Sequence, residues 1–214
     1  MKNTFAISIN GKEVQAKDGQ TILEAALDNG IYIPHLCHHP ELDPVGVCRL
    51  CLVEMADGEL MTACRIKVIP DMIIRTKTEK IDRAVRPVVE LLIGYHHERC
   101  AGCPAMGKCE LQTVMSHLKI DRRRVRRLRP PPDKRPIDSL NRYFDCDPNR
   151  CVLCGVCIRT CDEVCGASLL YYAGRGHETK VVFYGDEQTC ANCLKCVERC
   201  PVGTLMAKKP AEAN

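Results

Sequence analysis

Seventeen cysteines in 214 residues carry the chemistry of this chain, and they fall into groups. The last two groups read Cys151-x2-Cys154-x2-Cys157-x3-Cys161 and Cys190-x2-Cys193-x2-Cys196-x3-Cys200-Pro201. Two-residue gaps let three thiolates wrap one corner of a cubane from a tight loop, and the fourth, on the following helix, points at the neighbouring cluster. The spacing predicts two [4Fe–4S] clusters with exchanged fourth ligands: Cys151, Cys154, Cys157 and Cys200 on one, Cys190, Cys193, Cys196 and Cys161 on the other. Asp162 stands where the full motif has proline, which leaves Cys165 as a rival to Cys161. Zinc also accepts cysteine pairs two residues apart, but it takes four ligands per site and has no use for a triple-plus-one spacing written twice.

Two further sets lie upstream. Cys37-x10-Cys48-x2-Cys51-x12-Cys64 has a close central pair with two outlying cysteines, which fits a [2Fe–2S] cluster, although the gaps depart from the plant-type pattern and zinc remains the alternative. His96-x3-Cys100-x2-Cys103-x5-Cys109 offers three thiols, one short of a four-iron cluster. A neutral imidazole from His96 would complete it and raise its potential by removing negative charge. Histidines at helix ends also cap carbonyls, and His97 is within reach, so spacing alone leaves the choice open. Fifteen cysteines and His96 make sixteen ligands for four clusters; Cys146 and Cys165 remain, read as small buried hydrophobes beside them.

Composition narrows the setting. An odd number of cysteines opposes a fully paired disulfide framework. The sequence shows no secretory leader and no apolar run near the ~20 residues of a membrane span, so the expected setting is cytoplasmic, with reduced thiols used as metal ligands. Three phenylalanines and no tryptophan leave few large rings to fill a core. The formal net charge of +4 would be lowered by thiolate-bound clusters.

The elements that must position these ligands are legible in outline. Phe5, Ile7 and Ile9 alternate before Asn10-Gly11, a tight-turn signal, with Val14 on the return strand. Thr21 with Glu24 three residues on caps a helix over Ile22–Asn29 that Gly30 ends. Leu52–Met55 and Leu60–Thr62 read as a second hairpin across Asp57-Gly58, and the order strand pair, helix, strands is α+β. Residues 79–95 read as a helix with Ile81, Val85, Val88 or Val89 and Leu92 on one face, kinked or restarted at Pro87. A helix is expected at Glu110–Leu118, then an Arg- and Pro-rich linker or partner-facing arm containing Arg122–Arg129 and Pro130–Pro132. The expected division is a [2Fe–2S] domain over 1–78, a His-ligated [4Fe–4S] domain over 79–120, a linker over 121–139 and a two-cluster domain over 140–209.

The order of the four sets carries a resemblance across nearly all of residues 4–207, weakest at 119–145. Ile33-Pro34-His35-Leu36-Cys37, and His96–Cys109 followed by Glu110-Leu111-Gln112, resemble the iron–sulfur subunit shared by respiratory complex I and NAD-linked hydrogenases. Asn149-Arg150-Cys151-Val152-Leu153-Cys154 and Cys161-Asp162-Glu163 are similar to the small diaphorase subunit of bidirectional NAD(P)-reducing hydrogenases. The chain is also similar to the amino-terminal accessory module of [FeFe] hydrogenases and to subunits of NAD-dependent formate dehydrogenases. The resemblance implies a β-grasp ferredoxin-like fold for the first set, a short helical region in which His96 joins Cys100, Cys103 and Cys109, and a bacterial-type two-[4Fe–4S] ferredoxin domain.

A cluster whose coordination sites are all filled by protein has no open position for substrate, so its task is one-electron transfer. No Gly-rich dinucleotide fingerprint is visible and nothing else looks catalytic, so a substrate site is not expected here. The resemblance then implies two partners, a flavin- and NAD(P)-binding subunit and a catalytic hydrogenase, formate dehydrogenase or other reductase subunit. The competing reading is a nucleic-acid-binding metalloprotein gripping phosphates with Arg122–Arg129. No aromatic residue for base stacking lies in that stretch and three prolines follow it, so a nucleic-acid partner is not expected.

Overall fold

The computed structural model describes residues 3–96, 100–127, 135–191 and 193–208. His97, Arg129 and Pro130–Pro132, which the sequence singled out, lie outside them. The chain divides into two compact units, Met1–His38 with Pro44–Leu91 and Val114–Asp121, and His39–Asp43 with Leu92–Thr113 and Arg122–Asn214.

The first unit begins with β1 (Thr4–Ile9) paired antiparallel to β2 (Lys12–Lys17), Ile7 opposite Val14. Asn10 and Gly11 both take positive φ at the turn (55° and 77°), and Asn-Gly is the pair that adopts that conformation at least cost. The helix α1 (Ile22–Asp28) starts from a complete capping box. The Thr21 hydroxyl accepts the Glu24 N–H at 3.2 Å, and the Glu24 carboxylate accepts the Thr21 N–H at 2.7 Å. Two further first-turn donors, the N–H groups of Ile22 and Leu23, reach the carbonyls of Ile66 and Ala63 at 2.8 and 3.0 Å. Those bonds satisfy orphan helix donors and fix the segment that carries Cys64.

β3 (Leu52–Met55) and β4 (Leu60–Thr62) form the second hairpin. β5 (Ile73–Arg75) inserts between the hairpins, parallel to β1 and antiparallel to β3, giving a sheet of order β2-β1-β5-β3-β4. Ile7, Ile9, Val53 and Ile74 from this sheet and Ile22, Leu23, Ala25 and Ala26 from α1 share one buried core, the β-grasp arrangement. Each fully buried Val, Leu or Ile side chain contributes roughly 1.5–3 kcal/mol.

The helix α2 (Glu79–Tyr95) runs without interruption. Pro87 was expected to kink or restart it; there is no restart, because Ile81, Val85, Val89 and Ile93 make a single buried stripe through both halves. α3 (Glu110–His117) follows. Within the stretch expected as a linker, Arg122–Arg127 forms a short helix, α4, whose Val125 is buried at 1 % exposure. That single apolar residue, hidden among arginines, is what a reading by charge alone passes over. The far end of the stretch is anchored as well: Arg135 N–H donates to Asn149 Oδ1 at 3.0 Å, and Asn149 Nδ2 returns a bond to the Arg135 carbonyl at 2.8 Å.

The ferredoxin-like part of the second unit is thinly scaffolded. β6 (Phe144–Cys146) pairs with β9 (Leu205–Ala207), and β7 (Leu170–Ala173) with β8 (Lys180–Phe183), both antiparallel. α5 (Val156–Arg159) and α6 (Lys195–Glu198) are one turn each. α5 widens into a π-helical turn over Thr160–Val164, closed by Cys165 N–H to the Thr160 carbonyl at 3.1 Å.

Candidate metal centres

The [2Fe–2S] candidates lie at the ends of the second hairpin and in the loop before it. Cys51 immediately precedes β3, Cys64 follows β4 by one residue, and the Ala63 N–H donates to the Cys51 carbonyl at 2.8 Å. The four thiols form two close pairs. Cys37 and Cys48 have their sulfurs 3.4 Å apart, and Cys51 shares a sulfur–sulfur hydrogen bond with Cys64. Two sulfurs on one tetrahedral metal stand about 3.8 Å apart, given metal–sulfur bonds near 2.3 Å. The bond to Cys37, with burial, pushes the Cys48 thiol well up, while the N–H groups of Leu50 and Leu36 pull the other way.

In the second unit, His96 closes the last turn of α2, its N–H bonded to the Leu92 carbonyl at 3.0 Å. Cys100, Cys103 and Cys109 lie on the loop that follows, wound by bonds from Cys103 N–H to the Cys100 carbonyl and from Met106 N–H to the Cys103 carbonyl, both 3.0 Å. Burial raises the Cys109 thiol, the N–H groups of Gln112 and Leu111 oppose that, and Cys103 and Cys100 are close enough to add to it. The chain leaving Cys200 passes against this loop. The Glu110 N–H donates to the Pro201 carbonyl at 3.0 Å. A Cβ on Gly203, which has φ +70°, would lie 3.0 Å from the Ala105 nitrogen and 3.2 Å from Cys103 Sγ.

The two ferredoxin runs exchange their last cysteines in space. Cys157 is pushed well up by burial and then by Cys154, Cys200 and Cys151, and Cys200 is also among the groups that raise Cys151. Cys196 is pushed up to about 12 by burial and then by Cys161, Cys190 and Cys193. Cys200 therefore stands with the first run and Cys161 with the second. Cys146 is buried on β6, in keeping with a small apolar filler. Cys165 is not: it is half-buried, with its sulfur 3.4 Å from Cys193. The Cys-x3-Cys step from Cys161 to Cys165 was the only sequence signal for that approach.

The donor set fits iron–sulfur clusters. Burial and neighbouring sulfurs hold Cys151, Cys157 and Cys196 neutral. Yet backbone N–H groups are aimed at sulfurs of the same sites: Leu153 to Cys151 at 3.4 Å, Leu169 to Cys161 at 3.3 Å and Thr204 to Cys200 at 3.2 Å. N–H donors favour an anionic sulfur, and a cationic metal reconciles that anion with burial. The arginines of α4 are exposed on either side of Val125.

Family models match three stretches of the chain: a 2Fe-2S iron-sulfur cluster binding domain over residues 2–79, the NADH-ubiquinone oxidoreductase-G iron-sulfur binding region over 86–124, and a 4Fe-4S dicluster domain over 150–204. Similar proteins include NADPH-Fe(3+) oxidoreductase subunit alpha of Geobacter sulfurreducens, 33% identical over 95% of this chain and 24% of that one. The mitochondrial NADH-ubiquinone oxidoreductase 78 kDa subunit of Candida albicans is 30% identical over 94% of this chain and 28% of that one. The chain thus spans about a quarter of the length of these curated relatives. A crystal structure of an NAD+-reducing [NiFe]-hydrogenase contains a chain that superposes with a TM-score of 0.81, 32% identical, over 95% of this chain and 87% of that one. The cofactor complement is one [2Fe–2S] and three [4Fe–4S] clusters, in an α+β chain of ferredoxin-like, oxidoreductase-G-like and dicluster regions. Among the described residues no helix is long and apolar enough to cross a membrane.

Proposed function

Because this chain belongs to the family of iron–sulfur modules found in NAD+-reducing [NiFe]-hydrogenase and in NADH-ubiquinone oxidoreductase, we propose that it relays single electrons between a flavin-bearing, NAD(P)H-oxidising partner and a catalytic redox subunit, in the cytoplasm. That catalytic subunit is a hydrogenase, a formate dehydrogenase or another reductase. Cys37 and Cys48 would hold one iron of the [2Fe–2S] cluster and Cys51 and Cys64 the other. His96, Cys100, Cys103 and Cys109 would hold the first [4Fe–4S] cluster, Cys151, Cys154, Cys157 and Cys200 the second, and Cys190, Cys193, Cys196 and Cys161 the third. Bound there, the clusters supply one-electron outer-sphere redox chemistry with no open coordination site. The protein's share is to bury the sulfurs, aim N–H donors at them and exclude water.

The observation that carries this reading is the packing of Pro201–Gly203 on the Cys100–Cys109 loop. Cys200, a ligand of one cluster, sits one residue from a carbonyl bonded to Glu110, which itself follows Cys109, a ligand of another. Adjacent sites of this kind are what a relay needs, and electrons would run from the His96 end to the dicluster end, or in reverse.

The test is metal analysis with EPR on anaerobically purified, dithionite-reduced protein. About 14 irons per chain, with both [2Fe–2S] and [4Fe–4S] signals and little zinc, is the expected result. About four zincs and no paramagnetic signal would make the chain a zinc scaffold. Activity with NAD(P)H from the purified chain, with no flavin subunit added, would overturn the non-catalytic role.

A further inference from the structure

The cluster site of the second ferredoxin run holds one thiol more than a cubane needs. A single cavity in the second unit is lined by Cys161, Cys165, Cys190, Cys193 and Cys196, with Leu169 beside them. Four of these fill the corners of a [4Fe–4S] cluster. The fifth, Cys165, lies outside the repeated spacing, and its sulfur stands 3.4 Å from that of Cys193. That is near the ~3.8 Å expected of two sulfurs on one tetrahedral metal, so the two thiols reach for the same corner. Cys161 is occupied differently, accepting the Leu169 N–H at 3.3 Å.

The backbone explains how Cys165 gets there. Asp162 replaces the usual proline, so the chain after Cys161 continues as a wide π-helical turn, a form that recurs at functional sites. The Gly166 N–H bonds to the Asp162 carbonyl at 3.0 Å, and the Asp162 carboxylate accepts the Ser168 hydroxyl. Cys193 sits in a short turn of its own, its N–H on the Cys190 carbonyl at 3.1 Å, with Leu194 at φ 47° reversing the chain.

We propose that Cys165 is a reserve ligand of this cluster, able to take the iron that Cys193 holds. The proposal rests on Cys193 being a ligand of that cluster, as set out under the proposed function. The exchange is not a redox step: the Cys165 thiol gives its proton to water as a new iron–sulfur bond forms, and the released Cys193 thiolate takes up a proton as its own bond breaks. A loop ligand displaced by damage or substitution is then replaced without loss of the cluster.

Iron content and EPR of the full chain, purified anaerobically as wild type, Cys193→Ala, Cys165→Ala and the double variant, test this. Both single variants are expected to keep about 14 irons, and the double variant to fall to about 10–13 with a three-iron signal or none from that site. Iodoacetamide labelling read by mass spectrometry should modify Cys165 in the wild type and spare it in Cys193→Ala. Cys193→Ala losing as much iron as the double variant, with Cys165 still alkylated, overturns the reserve role while leaving Cys193 a ligand. A double variant that keeps all its iron overturns the ligand reading and the proposal with it. The retained [4Fe–4S] signal of the Cys151–Cys157 run reports that the ferredoxin-like part of each variant is folded. Should Cys193→Ala lose that signal, the labelling comparison is made on Cys193→Ser, where protection of Cys165 supports the exchange and unchanged alkylation refutes it.

Discussion

The two units bury different things. One buried cluster of the first unit joins fifteen residues, Cys51 and Cys64 among them; the other thirteen are Ile, Leu, Val and Ala from a five-stranded sheet, α1 and the segments between them. In the ferredoxin-like part of the second, the corresponding cluster is Phe144, Cys146, Cys161, Leu170, Val181, Cys196 and Leu205, three of the seven being cysteines, and the sheets have two strands each. Hydrophobic burial can hold the first together whether or not its cluster is present. In the second, the covalent bonds of iron to sulfur must supply what a sparse core cannot, as in other small metal-dependent folds.

The largest expected effect follows directly. Removing the clusters anaerobically with a chelator should abolish protection of backbone amides from hydrogen exchange across 144–207 while leaving β1, β2, α1 and β5 protected. Equal loss in both regions would show that the first fold also depends on its metal. Next in size, Ile74→Ala, at a position with 0 % exposure, should cost about 2–5 kcal/mol, read as a lowered denaturation midpoint confined to the first unit with its [4Fe–4S] signals intact. A loss of the dicluster signals would show that the two folds are not independent.

Gly203→Ala acts on the second unit through geometry. The left-handed φ of +70° costs a non-glycine residue about 1–2 kcal/mol, and the new methyl would press on Ala105 and on Cys103 Sγ. The expected result is a small loss of stability with a changed EPR signal from the Cys100–Cys109 site and an unchanged [2Fe–2S] signal. An unaltered [4Fe–4S] spectrum would mean that this loop yields without disturbing its sulfurs.

The same contrast governs what the sequence disclosed. In the first unit the determinants are local: Asn10-Gly11 sets a turn, Thr21 and Glu24 set a helix start, Asp57-Gly58 sets a hairpin, and each acts within a few residues. The insertion of β5 between the hairpins is not local, and nothing in Ile73–Arg75 announces its neighbours. In the second unit the repeated cysteine spacing was legible as a 4Fe-4S dicluster domain, because cluster geometry imposes such a spacing. The pairing of β6 with β9 across some sixty residues was not, and neither was α4, whose one buried valine gives no periodicity. The approach of Cys165 to Cys193 depends on a π-helical turn, a conformation with no spacing signature of its own.

The smallest effect concerns Cys146, a buried thiol to which no iron is assigned. Burial, and after it the charge of Cys151, pushes this thiol up to about 12 from an ordinary 9.0. Its sulfur donates to the Val181 carbonyl at 3.9 Å, which also favours the protonated form. A thiol that ionises near 9 when unfolded and near 12 when folded adds stability in full below pH 9, and that contribution is lost as pH rises from 9 towards 12. The slope is at most about 1.4 kcal/mol per pH unit, and about 1 kcal/mol should disappear between roughly pH 9 and 10. Cys146→Val keeps the site apolar and has no proton to lose. The denaturation midpoint of the second unit should therefore fall with pH more steeply in the wild type than in Cys146→Val, measured on the cluster-loaded protein. In the first unit every cysteine is a proposed iron ligand, so the substitution should leave its pH profile unchanged. Parallel slopes in wild type and variant would mean that the alkaline loss of stability comes from the clusters themselves rather than from this thiol.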